Sequence, residues 1–269
     1  MQMAKPDTLD YTVQFLAKRD GIDKTLKIIR YSTRLLLASG VLSDSQKDLT
    51  QRLSKFESSI GTSRKAYRLG KFLGNVNTLR KTPLITPYAL LEWVANSGEC
   101  VYYFVEQLQW LVKSGLLPPH LGPRLTRISA TGELIGYTAS ITLNVLRVVA
   151  ILEREMLLLG ELHRRLKVKR KALQGLLLLA SRAAIGCDGG LEPQVDEDST
   201  KSLVAEIRSL RARRRLRVMG LAQDVADSLL AISDLRQRQD FLSNAVLLAG
   251  AGLLSGACSA YKNWPGPTT

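Results

Sequence analysis

Phe56-Glu57-Ser58-Ser59-Ile60-Gly61-Thr62-Ser63-Arg64-Lys65-Ala66-Tyr67-Arg68-Leu69-Gly70-Lys71-Phe72-Leu73-Gly74-Asn75-Val76-Asn77-Thr78-Leu79 is the stretch around which the chain is read. Projected on a helix at about 100° per residue, Ala66, Leu69, Phe72, Leu73, Val76 and Leu79 fall on one side. Arg64, Arg68, Lys71 and Asn75 fall on the other. Two physical readings follow from such a basic amphipathic helix. It lies in a membrane interface with its cations toward lipid headgroups, or it packs its apolar stripe on its own domain. The flanking sequence decides between them.

The net charge of +14 and isoelectric point near 9.9 call for an anionic partner surface, which leaves nucleic acid, acidic protein and anionic lipid open. The three cysteines, Cys100, Cys187 and Cys258, stand far apart, with only His120 and His163 beside them. That pattern supports neither a disulfide framework, a zinc site nor a thiol catalytic centre, so no metal, cofactor or catalytic residue is expected. The N-terminal residues lack an apolar run, so no secretory signal is expected, and the final Gly-Pro-Thr-Thr is not a Ser-Lys-Leu import address.

A second basic amphipathic helix is expected between Leu9 and about Ala38, with an interruption at Asp20 and Gly21. Ile22, Leu26, Ile29, Thr33 and Leu36 form its apolar face, and Lys24, Lys27, Arg30 and Arg34 the opposite one. Pro83 and Pro87 then break the chain. In the apolar, aromatic segment that follows, Glu92, Glu99 and Glu106 sit seven apart on one helical face. No second convergent group accompanies them, so they read as a solvated or salt-bridged stripe rather than as acid–base catalysts.

The next helix runs from Leu125 to about Glu153 and holds a charge-free run over 134–146, followed by Arg147. That run is short of the roughly 20 residues that cross a bilayer, so a buried core helix, an interfacial segment and a marginal span stay open. Residues 162–171 are densely basic, and an apolar run over 172–180 follows. Residues 186–200, with their glycines, Pro193 and acids, read as an exposed linker. The arginines from Arg208 to Arg217 are a concentration that nucleic-acid binders also show, but the aromatics needed for base stacking are absent. A soluble helical nucleic-acid binder therefore stands only as a rival reading.

The last element, 241–261, is a 21-residue uncharged run between Asp240 and Lys262. As a helix it would extend roughly 31 Å, enough for a hydrocarbon core. Gly252 and Gly256, extended by Ala260, give a small-residue ridge for close helix contact. The expected fold is all-α: a membrane-associated helical protein with basic amphipathic helices and a C-terminal transmembrane helix. Its expected parts are an amphipathic region at 1–82, an apolar region with a marginal membrane segment at 83–185, an acidic linker at 186–200, a basic helix at 201–240 and the span at 241–261.

On these residues the chain resembles the peroxisomal biogenesis factor 11 family, especially its plant and algal members. The run from Phe56 through Phe72 looks like that family's characteristic stretch. Asp20, Lys24, Ile29, Tyr31 and Arg34 resemble its N-terminal helix, and Glu106, Gln107, Trp110, Ser114 and Gly115 a further pattern. Residues 167–217 show little that aligns. The resemblance implies a non-enzymatic peroxisomal membrane protein that elongates the membrane before fission, self-associates and recruits fission machinery built around a dynamin-type GTPase. It also implies an N-terminal region facing the cytosol. In that setting Arg64, Lys65, Arg68 and Lys71 are expected to bind anionic lipid while Leu69, Phe72, Leu73, Val76 and Leu79 wedge between acyl chains. Gly252, Gly256 and Ala260 are expected to pack helices and to concentrate protomers. A peroxisomal metabolite channel, lined by Thr138, Ser140, Thr142, Asn144 and Arg147, is the alternative; a nucleic-acid partner is not expected.

Overall fold

The computed structural model describes residues 7–42, 46–182, 197–236 and 243–265, and all regular structure among them is helical. The helices are α1 (Thr8–Leu16), α2 (Arg19–Ala38), α3 (Lys47–Tyr67), α4 (Lys71–Lys81), α5 (Pro87–Lys113), α6 (Gly122–Arg182), α7 (Glu197–Arg236) and α8 (Ala245–Asn263). Two compact units are present, one formed by 1–145 with 219–269 and the other by 146–218.

The first unit contains α1 to α5, the N-terminal part of α6, the C-terminal part of α7, and α8. The break in the first amphipathic region comes at Ala17 and Lys18, a turn earlier than Asp20 and Gly21. Asp7 caps α1 through a reciprocal capping box with Asp10, and Thr86 caps α5 by accepting from the Ala89 amide ahead of Pro87. Asn244 caps α8, its Oδ1 accepting from the amides of Val246 and Leu247. The cap fixes the start of the C-terminal span at Ala245; residues 241–242 of the expected span lie outside the described residues.

Burial in this unit departs from the rule for a protein in water: beside buried apolar residues such as Ile60, Val105 and Leu143, charged side chains lie inside and large apolar ones outside. Asp23, Lys27, Arg64, Arg68, Glu106 and Asp227 are buried, while Ile29, Leu36, Leu73, Phe104, Ile128 and Val246 are exposed. Ionisable side chains are almost never fully buried unless paired, and those here are paired. Among the described residues, two helices are long and apolar enough to cross a membrane: α8, and α6 within the stretch 119–172. Only 33% of the apolar window of α8 and 17% of that of α6 is buried within the chain, whereas the core helix of a water-soluble domain is buried for most of its length. Their exposed apolar surface calls for lipid. The charge-free run at 134–146, short by itself, is thus part of a longer helix that is a candidate span by length and composition.

The second unit, 146–218, is an antiparallel pairing of the C-terminal part of α6 with the N-terminal part of α7. Leu158, Leu203 and Ile207 form its core, with Leu162 and Leu210 packed on them. Glu155 is buried there and accepts from Arg211 Nε and Arg214 Nη1, each at 2.6 Å. Two of the arginines that resembled a nucleic-acid patch are therefore committed to a carboxylate inside the hairpin. The helix α6 runs unbroken from Gly122 through the basic block to Arg182, rather than ending near Glu153. Residues 186–196 of the expected linker lie outside the described residues, and Glu197 to Thr200 already belong to α7.

Candidate functional site: a polar centre beneath an apolar surface

The stretch 56–79 is not one helix. Gly70 has φ of +72°, a left-handed conformation that glycine adopts without a side-chain penalty, and it divides α3 from α4. Around it the Arg68 and Leu69 amides bond to the Lys65 and Ala66 carbonyls, a tightened final turn. The Arg68 carbonyl accepts from Gln107 Nε2 at 3.2 Å, which ties the break to α5. A projection that runs straight through residue 70 therefore assigns the two halves to faces they do not share.

The cations at the C-terminal end of α3, Arg64, Lys65 and the capping residue Arg68, are turned inward. Asp23 of α2, almost completely buried, accepts from Arg64 Nε at 3.0 Å and from Arg68 Nε at 3.1 Å, and Lys24 Nζ lies 3.3 Å from its other oxygen. Arg68 reaches onward through Nη1 to Glu106 at 2.8 Å and to the Tyr102 hydroxyl at 2.6 Å. Lys65 completes the set, donating to Glu106 at 3.1 Å and to Gln109 Oε1 at 2.7 Å. Arg68 thus bridges two carboxylates on two different helices, which a guanidinium can do because its five donors point in fixed, divergent directions.

The electrostatics follow from this geometry. Burial alone would raise the Asp23 carboxyl, but Arg68 and Arg64 outweigh it and hold that group well below the usual carboxylate range. Burial likewise opposes ionisation of Glu106, and Arg68 and Lys65 overcome it and hold the carboxyl at about 2. Lys24, desolvated beside other cations and only partly offset by Asp23, is lowered to about 8.

A second buried cluster joins α8 to the same centre. Lys27 Nζ donates to Asp227 Oδ1 of α7 at 2.7 Å and to Ser255 Oγ of α8 at 2.6 Å, and Ser255 Oγ donates to Asp227 Oδ2 at 2.6 Å. Beside it, α8 lies so close to α2 that a Cβ added at Gly252 would meet the Tyr31 ring at 2.2 Å. One added at Gly256 would meet Ile28 Cγ1 at 3.1 Å. The small-residue ridge is therefore packed within the chain, against α2. Ala260, further along α8, is half-buried.

Between these clusters lies a cavity of about 330 Å³ lined by charged and hydroxyl groups, among them Lys27, Arg64, Arg68, Glu106 and Asp227. On α6, Ser140 Oγ and Asn144 Nδ2 donate to Asp224 Oδ2 at 2.6 and 3.2 Å. Thr138 and Thr142 instead point outward and donate to carbonyls of their own helix, so the expected channel lining is divided.

The residues expected to bind lipid part into two groups. Arg64 and Arg68, 5% and 8% exposed, are held in ion pairs and do not present themselves to headgroups; Lys65 is engaged beside them. Lys71 pairs with Asp20 at 2.8 Å and lies 4.8 Å over the Tyr103 ring. The apolar members behave differently: Leu69, Leu73 and Val76 are 55%, 60% and 46% exposed. Phe72 is half-buried in an edge-to-face pair with Phe104, and Leu79 is half-buried. Asp23, Asp227 and Ser255, the centres of the two clusters, were not singled out from sequence. Acids within the cationic face of α2, Asp20 and Asp23, are the available signal for Asp23, whereas no local pattern marks Ser255.

A bundle with ion pairs inside, apolar side chains outside and two helices fit to cross a bilayer is a helical membrane protein. The family model for Peroxisomal biogenesis factor 11 matches residues 9–264. The chain is 41% identical over 264 residues to Peroxisomal membrane protein 11-3 of Oryza sativa subsp. japonica, covering 97% of this chain and 92% of that protein. It is 36% identical over 259 residues to Peroxisomal membrane protein 11A of Arabidopsis thaliana, covering 96% and 93% respectively. Over 159 residues it is 27% identical to Peroxisomal membrane protein PMP30B of Candida boidinii, covering 56% of this chain and 62% of that protein. No solved structure matches it. The chain belongs to the peroxisomal biogenesis factor 11 family.

Proposed function

We propose that the chain is a peroxisomal membrane protein that bends and elongates its membrane during proliferation and fission, and that it does so as a folded bundle. The observation that carries this reading is the outward row of Leu69, Leu73 and Val76 on a segment whose cations are turned inward. An exposed apolar row inserted into one leaflet expands that leaflet, and many copies convert the expansion into curvature. Contact with anionic headgroups then falls to exposed cations, Lys55 within α3 and Arg80 and Lys81 at the end of α4, in place of Arg64 and Arg68. Self-association raises the local density and uses surfaces other than the Gly252 ridge. The N-terminal region faces the cytosol, where a dynamin-type fission machinery is the partner.

The full chain reconstituted in anionic vesicles is expected to draw tubules. The triple variant Leu69→Gln, Leu73→Gln, Val76→Gln is expected to insert equally and to tubulate far less. Equal tubulation would remove the wedge from the account.

The polar cavity favours a second reading, passage of small solutes through the bundle. Its lining differs from the one expected on α6, since Arg64, Arg68 and Glu106 line the cavity. Planar-bilayer conductance that changes its ion selectivity in Glu106→Gln supports it, and an absence of conductance discards it.

A further inference from the structure

Helices α5 and α6 cross at three glycines. A Cβ on Gly98 would meet the Gly132 carbonyl oxygen at 2.5 Å and Gly136 Cα at 2.6 Å, so the backbones touch. Alongside the crossing runs a groove of about 510 Å³, walled by Trp93, Val94 and Val101 of α5 and by Ile128 and Ile135 of α6. The volume falls within the ~300–1,000 Å³ of small-molecule sites. From Trp93 to Val101 the helix rise gives a length of about 12 Å. That is close to the ~15 Å of hydrocarbon in one leaflet.

Besides Thr131, whose hydroxyl donates to the Arg127 carbonyl of its own helix, two polar residues break the apolar wall. Ser97 is among the lining residues, and its hydroxyl is enclosed beneath the groove without a hydrogen-bond partner, which for a group out of water costs about 1–3 kcal/mol. Arg127 lines the same groove and lies on α6 seven residues, or about 10 Å of helix, before the charge-free run at 134–146, on the headgroup side of that run, where a snorkelling cation meets phosphate.

We propose that this groove binds one phospholipid of the bilayer, with an acyl chain between α5 and α6 and its phosphate on Arg127. The inference rests on α6 lying in the membrane. The occupant is a lipid because one wall belongs to an exposed candidate span, the length suits one leaflet, and the only cation among the lining residues stands at one end. It differs from the α4 wedge in kind: the wedge displaces many lipids, whereas the groove retains one.

The test uses the full chain expressed in a membrane, extracted in mild detergent and stripped of loosely held lipid by gel filtration, with phospholipid counted by mass spectrometry. The parent chain is expected to retain about one phospholipid per copy. Thr131→Phe fills the groove and is expected to reduce retention at least tenfold; Ile128→Phe, at an exposed groove position, repeats the test should the first variant fold poorly. Arg127→Gln is expected to reduce retention several-fold. In vesicles containing brominated phosphatidylcholine, a chain with Trp93 as its sole tryptophan (Trp110→Phe, Trp264→Phe) is expected to be quenched, and less so with Thr131→Phe. No retained phospholipid, or equal retention in the filled variants, overturns the proposal. Resistance of the protein to carbonate extraction is scored in parallel, so failure of the membrane reading is told apart from failure of the groove.

Discussion

Replacing Asp23 by Asn keeps the shape of the side chain and removes the charge on which Arg64, Arg68 and Lys24 converge at 3.0, 3.1 and 3.3 Å. Removing one partner of a buried ion pair costs about 3–5 kcal/mol, because the other charge is left without compensation. Here Arg68 keeps Glu106 at 2.8 Å, whereas Arg64 loses the carboxylate it pairs with among the described residues. We therefore expect a loss of about 4 kcal/mol, near the middle of that range. At roughly 2–4 °C per kcal/mol for a chain of this size, the thermal midpoint falls by about 8–16 °C. The assay is thermal unfolding of the purified chain in detergent, followed by helical circular dichroism, with Asp20→Asn at an exposed ion pair as control and a shift of about 2 °C or less expected. A shift below about 3 °C for Asp23→Asn refutes the reasoning. It would mean that the two guanidinium groups reach water or headgroups in the folded chain.

For the second cluster, Lys27→Met and Asp227→Leu are each expected to cost about 3–5 kcal/mol, while the double variant recovers most of the loss; additive losses in the thermal assay would oppose this. Acid is expected to destabilise the bundle. The folded pKa of Glu106, about 2, lies below its ordinary 4.5, so its stabilisation, on the order of 3 kcal/mol, is complete above about 4.5 and is lost as pH falls toward 2. A thermal midpoint that stays flat from pH 6 to 3, or an equal decline in Glu106→Gln, contradicts that assignment. Gly252→Leu is expected to separate α8 from α2, since even its Cβ would overlap the Tyr31 ring. Maleimide labelling of the half-buried Cys258, in a chain lacking Cys100 and Cys187, should accelerate, and an unchanged rate opposes the close contact.

Much of the fold is legible in the residues. Helical periodicity finds α2, the prolines mark the start of α5, and the uncharged run before Lys262 marks α8. Less legible is which side of each helix faces in. Periodicity separates the apolar side of α2 from its cationic side but does not say what lies beyond either, and here lipid takes the place water would have. Arg64 and Arg68 were therefore read as headgroup contacts although Asp23, some forty residues earlier, holds both. The break at Gly70 was hidden for a related reason: a glycine in a helical pattern is tolerated or terminal, and only the contact of Arg68 with Gln107 decides which. The Gly252 and Gly256 spacing announced a close contact without naming its partner, which proved to be α2 of the same chain.

The central claim is that Leu69, Leu73 and Val76 face lipid from a folded bundle whose Arg64 and Arg68 stay inside. Spin labels placed one at a time at positions 64, 69, 73 and 76 of the cysteine-free chain in anionic vesicles test it through collisions with oxygen and with a water-soluble relaxing agent. The account predicts high oxygen and low aqueous accessibility at 69, 73 and 76, with position 64 shielded from both. High aqueous accessibility at 73 and 76, or a label at 64 that reports lipid headgroups, would contradict it.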